Sequence, residues 1–193
     1  MKKYLGLLII VAALSSLVAQ GQHVGIKTNL LYAGATFTPN LGVEVALGKR
    51  ITLEMMAGFN PWNVKGSATS NKKLAHWLVQ PELRYWLCER FNGHFFGVHG
   101  LGGQFNVAGH SLLNMIDPKY RYEGYGVGAG LTYGYQFVLG KRWNLELSVG
   151  AGYVRLKYDQ YECVQCGNQV AHDKIHNYFG PTKAAISLIY LIR

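Results

Sequence analysis

One pattern recurs along this chain so often that it limits the fold more than any other feature: apolar residues alternate, one for one, with glycines or polar residues. A period of two places the two sets on opposite faces of an extended strand, whereas a helix needs a period near 3.6. In 41–47, Leu41, Val43, Val45 and Leu47 share one face, and Gly42, Glu44 and Ala46 the other. In 51–59, Ile51, Leu53, Met55, Ala57 and Phe59 oppose Thr52, Glu54, Met56 and Gly58. In 77–87, Trp77, Val79, Leu83, Tyr85 and Leu87 oppose Leu78, Gln80, Glu82, Arg84 and Trp86. In 125–137 the tyrosines and aliphatics oppose a nearly unbroken row of glycines, and 145–153 sets Leu145, Leu147, Val149, Ala151 and Tyr153 against Glu146, Ser148, Gly150 and Gly152. Weaker stretches at 24–33, 95–104 and 178–191 bring the count to eight. Beyond Tyr153 the apolar phase changes to Val154, Leu156 and Tyr158, which predicts a β-bulge there.

The links between strands alternate in length. Gly48-Lys49-Arg50, Cys88 to His94 and Gly140-Lys141-Arg142 are short; 60–74, 105–123 and 158–177 are long, and a brief link at 34–38 falls on their side. Tight turns at one end and larger loops at the other are the outer-membrane arrangement, with both chain ends on the short-turn side. Leu47-Gly48-Lys49-Arg50-Ile51 with Leu53-Glu54 is echoed by Leu139-Gly140-Lys141-Arg142-Trp143 with Leu145-Glu146, a repeated hairpin rather than a solenoid.

A soluble sandwich also alternates, so the faces must decide. The non-apolar faces here carry glycines and isolated charges: Lys27, Glu44, Glu54, Glu82, Arg84, Glu146 and Lys183. Paired inside a narrow barrel these are tolerable; buried unpaired they are costly. Aromatics stand near strand ends, Trp77 and Tyr85, Tyr125 and Tyr135, Tyr178 and Tyr190. About twelve residues at roughly 3.3 Å, tilted ~40°, span about 30 Å, close to the apolar thickness of a bilayer. The expectation is an all-β, closed antiparallel up-and-down transmembrane β-barrel of about eight strands, too narrow for an open channel.

The first residues fit export. Lys2 and Lys3 precede the short apolar run Leu5 to Leu17, and Ala19 offers a cleavage point, so 1–19 reads as a signal peptide and 20–193 as the barrel domain. Cleavage takes two lysines from the formal charge of +9. Such a basic product meets outer-membrane lipid phosphates or an acidic polymer, or simply carries its charge on solvated turns. With only 15% charged residues and no such motif, nothing points to nucleic acid.

Several segments carry a resemblance: Lys27-Thr28-Asn29-Leu30-Leu31-Tyr32, Thr38-Pro39-Asn40-Leu41-Gly42-Val43-Glu44, Asn60-Pro61-Trp62, His76-Trp77-Leu78-Val79-Gln80-Pro81-Glu82, and Phe179-Gly180-Pro181-Thr182-Lys183-Ala184. Together they resemble an uncharacterised family of Bacteroidota outer-membrane proteins, domain of unknown function 3575. The resemblance implies a small barrel, brings no catalytic residues, and hints at a role around fimbrial surface appendages. The chain departs from barrel habit at its end, Tyr190-Leu191-Ile192-Arg193, where an aromatic residue is usual.

Local chemistry is sparse, and no cofactor is expected. Cys163 and Cys166, followed by His172 and His176, leave a disulfide, a tetrahedral zinc site and free thiols open. Cys88 reads as a lone thiol in a short turn. His110, Ser111 and Asp117 supply the residue types of a lipid-modifying barrel enzyme, the alternative to a non-enzymatic barrel, but adjacent His and Ser point to opposite sides of a strand. The glycines 124, 126, 128, 130 and 134 lack the helix that a phosphate-binding loop requires, and serve instead to admit bulky inward neighbours such as Trp86. Trp62, Lys65, Lys72 and Lys73 are loop candidates for contact with acidic groups. The expected role is structural, adhesive or fimbria-associated, exercised through the outer loops.

Overall fold

Eight strands pair in chain order and the last pairs with the first. They are β1 (Val24–Asn29), β2 (Asn40–Ala46), β3 (Ile51–Asn60), β4 (Lys73–Trp86), β5 (Gly93–Ala108), β6 (Tyr120–Val138), β7 (Trp143–Glu162) and β8 (Gln169–Ile192). Every neighbouring pair is antiparallel and the ring is a closed barrel. The computed structural model describes residues 24–61, 66–67, 70–71, 73–109, 117, 119–162 and 168–192; the segment 1–19, expected to be a signal peptide, lies outside them. A small hairpin pairs Gly66–Ser67 with Ser70–Asn71 within the second loop.

Alternation becomes sidedness throughout. Along β3, exposed Ile51, Leu53, Met55, Ala57 and Phe59 interleave with buried Thr52, Glu54, Met56, Gly58 and Asn60. The apolar face is therefore the outer one and the polar face the inner one, the reverse of a water-soluble sheet. Large side chains stand fully in the open on the outside, among them Leu131 at 68% and Val149 at 63% exposure.

The first expected strand is shorter than its sequence pattern. At Leu30-Leu31 the alternation ends, and a helix, α1 (Leu30–Thr36), begins behind Asn29, whose side chain accepts the Tyr32 amide at 3.2 Å. Asparagine is among the preferred residues for that cap. Phe37, in the left-handed region with φ 51°, ends the helix. Strands β3 to β8 are longer than expected, and parts of 105–123 and 158–177 taken as loop are strand.

The expected bulge after Tyr153 does not exist. β6 and β7 pair without interruption from Tyr120↔Glu162 to Val138↔Asn144. Instead the two faces exchange polarity: Val154 and Leu156 continue the inward face, while Arg155, Lys157 and Asp159 continue the outward one. The register shifts belong to β8, one of them between Pro181 and Lys183 opposite Ala151 and Gly150. Tyr178 likewise sits on the inward register, opposite Val154, with its hydroxyl donating to the Pro181 carbonyl at 3.2 Å, and is not part of an outer aromatic row.

Phe91 closes the short-turn end. It lies in the turn after β4 with φ 62°, a region that disfavours a bulky side chain. Its ring is buried with Ala46, Ile189 and Leu191, and Trp86 lies 6.1 Å away between centroids. Asn144 Nδ2 donates to the Phe91 carbonyl at 3.0 Å and fixes the turn from inside. Gly134 has a matching purpose on β6, since a Cβ there would meet the Phe95 ring. Phe95 in turn packs on Trp86 at 4.8 Å and beneath the Arg84 guanidinium at 4.3 Å. Phe91→Ala should lower the free energy of unfolding by about 3 kcal/mol, the usual scale for losing a buried phenylalanine. Urea unfolding in detergent micelles would show it, and an unchanged midpoint would mean that the ring seals nothing.

Candidate functional site

The lumen holds the seven charged residues singled out in the sequence. Lys27 comes from β1, Glu44 from β2, Glu54 from β3, Glu82 and Arg84 from β4, Glu146 from β7 and Lys183 from β8; each is buried or nearly so. Register alone would forbid this cluster. Glu44 is directly opposite Glu54, and Glu54 directly opposite Glu82, so three carboxylates stand in a row across adjacent strands. Like charges so placed repel, and cations must come between them.

Two do so at the centre. Lys27 Nζ lies 2.6 Å from Glu44, 3.1 Å from Glu54 and 3.0 Å from Glu146. Arg84 donates from Nε to Glu82 at 2.9 Å, from Nη1 to Glu44 at 2.9 Å, and from Nη1 and Nη2 to the two oxygens of Glu146 at 2.8 and 3.0 Å. Its Nη2 also pairs with Glu54. This forked geometry is what a guanidinium offers and an ammonium lacks. Lys183 completes the set by pairing with Glu82.

The β8 bulge explains how Lys183 reaches inward. An extra residue on one strand lets two consecutive side chains take the same side. Thr182 and Lys183 both do: Thr182 Oγ1 lies 2.9 Å from His99 Nε2, while Lys183 pairs with Glu82. His99 Nδ1 is 2.8 Å from Thr132 Oγ1, which donates to Glu82 at 3.3 Å. His99, Thr132 and Thr182 escaped the sequence reading. The signal was there for His99, which shares the inward parity of Phe95 and Gly97.

Above the charges a neutral polar layer fills the wide end. Tyr32 hangs from α1 against Gly58, where a Cβ would collide with its ring, and its hydroxyl is 2.7 Å from His76 Nε2. Asn40 bonds to the Asn29 amide and carbonyl at 2.7 and 3.0 Å, and Asn60 donates to Thr36 O and Thr38 Oγ1 at 2.9 and 3.0 Å. Each segment that carried the resemblance therefore delivers lumen residues: Lys27, Asn29 and Tyr32; Thr38, Asn40 and Glu44; Asn60; His76 and Glu82; Thr182 and Lys183. What those motifs encode is a filled interior.

The remaining candidates form no shared site among the described residues. Cys163, Cys166, His110, Ser111, Trp62, Lys65 and Lys72 lie outside the described residues. His172 and His176 fall on opposite faces, because a register shift between Ala171 and Lys174 intervenes; His172 meets Asp159 outside, while His176 takes the inward register opposite Leu156. A zinc site using both histidines would need that stretch to refold. Asp159, His172 and Asp173 do approach one another, but Lys157 Nζ already sits 2.9 Å from Asp173. The hydrogen bond and charge of that ammonium hold the Asp173 carboxyl below its usual range. Cys88 is an exposed free thiol on the short-turn side, and Asp117 Oδ1 accepts from the Lys119 amide at 2.9 Å.

With this geometry established, comparison supplies the family. A model described as "Protein of unknown function (DUF3575)" matches residues 7–192. The chain belongs to that family. No curated protein and no solved structure matches it.

Removing one member of a buried ion cluster strands the others in a low-dielectric interior. Arg84→Leu should therefore cost about 3–5 kcal/mol of folding stability, read as a lower urea midpoint. Lys157→Ala, which removes an ion pair exposed to solvent, should leave the midpoint in place. Equal effects from the two would refute a structural role for the lumen network.

Proposed function

We propose that this chain is a non-enzymatic outer-membrane β-barrel, exported by its signal segment, that acts as a rigid platform for surface binding. The observation that carries this reading is the inverted sidedness of the sheet. An outer surface of leucine, valine and aromatic side chains is stable against lipid and unstable against water. From Trp143 to Tyr153, at roughly 3.3 Å per residue and a tilt of about 40°, the apolar stripe of β7 rises about 25 Å, the height of an outer-membrane apolar band. Above Tyr153 the outward face turns to Arg155, Lys157 and Asp159, as expected where a strand leaves lipid for water.

The lumen argues for a platform rather than a pore. Its cross-section is occupied by Lys27, Arg84 and their carboxylates, by Tyr32 at one end and by Phe91 at the other. The wall is uneven: β1, β2 and β3 have 6, 7 and 10 residues, while β5 to β8 have 16, 19, 20 and 24. The tall side stands clear of the apolar band, so β5 to β8 end well beyond it. A surface or fimbrial protein, or an acidic polymer met by this basic chain, is the partner class that fits such a display.

The test combines localisation with barrel integrity. In the outer-membrane fraction the unboiled protein should migrate apart from the boiled one on a detergent gel, and the purified barrel should give no steady conductance in planar bilayers. Recovery in the soluble fraction without a heat-dependent shift would overturn the membrane reading; steady ohmic channels would overturn the filled platform.

A further inference from the structure

Three short turns surround the barrel mouth at the end that Phe91 closes. Lys49 and Arg50 belong to the β2–β3 turn, Glu89 and Arg90 to the β4–β5 turn, and Lys141 to the β6–β7 turn; all five line one recess of ≈ 570 Å³. Its floor includes Phe91 and Leu191, both buried in the closed end of the lumen, so the recess opens along the barrel axis. Binding pockets occupy about 300–1,000 Å³.

The rim is built twice from the same parts. In the β2–β3 turn the Leu47 and Gly48 amides both donate to the Ile51 carbonyl, at 2.9 and 3.2 Å. In the β6–β7 turn the Leu139 and Gly140 amides both donate to the Trp143 carbonyl, at 2.9 and 3.1 Å. Each turn then carries a lysine followed by an arginine. The two turns stand half a ring apart in the strand order, so Lys49 and Lys141 flank the mouth from opposite sides. Arg90 comes from the turn between them and is tied to the first: its Nη1 donates to the Gly48 carbonyl at 3.1 Å, and its amide to the Lys49 carbonyl at 3.4 Å.

The cations of the rim are uncompensated. Among the described residues, no ion pair or hydrogen bond reaches the side chains of Lys49, Arg50, Lys141 or Glu89. Elsewhere charge is matched: the lumen cations are paired, and on the outer wall Lys157 meets Asp173 and Arg121 meets Glu123. Four like charges around one opening repel one another, and the single carboxylate of Glu89 offsets only one of them. Arginine and lysine together suit carboxylates, and the floor of Phe91 and Leu191 adds apolar surface that a peptide can use and a bare phosphate chain cannot.

We propose that this recess is a second binding site, at the opposite end from the outer loops, for an acidic peptide segment of a protein partner. Carboxylates of the peptide lie among Lys49, Arg90 and Lys141, with an intervening apolar side chain toward Leu191. That this partner is periplasmic rests on the outer-membrane reading above; the recess itself does not.

The full-length mature protein, purified in non-ionic detergent, would be titrated into a short dye-labelled peptide of alternating glutamate and alanine, with binding read by fluorescence anisotropy. The peptide should bind, a lysine–alanine peptide should not, and raising the salt from ~0.05 to ~0.5 M should weaken binding at least about tenfold. Lys49→Glu combined with Lys141→Glu should abolish it. Lys141→Gln should weaken it about tenfold, the scale of one charge-assisted hydrogen bond, whereas Lys119→Gln, the same loss of charge at the long-loop end, should leave it unchanged. The substituted side chains are exposed and without partners, and the heat-dependent gel shift of each variant separates loss of the site from loss of the barrel. No binding by the wild type, equal binding of the lysine–alanine peptide, or binding that survives the double charge reversal overturns the proposal. So does inorganic tripolyphosphate bound as tightly as the glutamate peptide, or equal weakening by Lys119→Gln. A wild type that binds the peptide but neither shifts on heating nor enters membranes overturns the outer-membrane reading and leaves the recess standing.

Discussion

Three carboxylates in a row, Glu44, Glu54 and Glu82, are forced together by strand register, and Lys27 and Arg84 pass between them. Much else in the barrel follows from that juxtaposition. The guanidinium needs a flat support, which Phe95 provides; Phe95 needs space, which Gly134 leaves; Lys183 needs to reach Glu82, which the β8 bulge permits. Ion pairs taken out of water contribute little net stability on average, because desolvation offsets attraction. Their effect here is to specify. Any shift in register would leave some of these charges buried and unpaired, so the cluster penalises every pairing but one.

The same division of labour separates the two ends of the lumen. At the short-turn end the filling is aromatic and aliphatic, with Trp86, Phe91, Phe95 and Ile189. At the wide end it is hydroxyl, amide and imidazole, with Tyr32, Thr38, Asn60 and His76. Between them the charges occupy the middle, where the ring of strands is complete on all sides and water is best excluded. Above this level β1 to β3 stop while β5 to β8 continue, so the polar layer borders an opening on one side only.

How much of this the sequence revealed depended on how sharply the two faces of each strand differ. Strand count, order and sidedness were legible because 51–59, 77–87 and 145–153 alternate between strongly unlike residues. The seven lumen charges were legible for the same reason, as isolated ions on faces otherwise small or neutral. Past Tyr153 the contrast inverts, and an inversion of polarity has the same sequence signature as a one-residue slip; hence the expected bulge at Val154 and the shortened β7 and β8. The true bulge at Thr182–Lys183 could not be found locally, since it is fixed by His99 and Glu82 on distant strands. Nor could α1, whose seven residues are set by the Asn29 cap and not by any periodicity.

The positions of Lys27 and Lys183 in the chain have a consequence for assembly. One belongs to the first strand and the other to the last, the two strands whose pairing, Lys27 opposite Ile189, closes the ring. Lys27 can find Glu44 and Glu54 within the first hairpins, but Glu146 only from across the lumen. Lys183 likewise finds Glu82 only from across it. An open, curled sheet would therefore leave Glu146 without Lys27 and Glu82 without Lys183, and joining the seam makes both contacts at once. The lumen cluster thus works as a latch: it makes the last pairing of the barrel the one that completes its ion pairs.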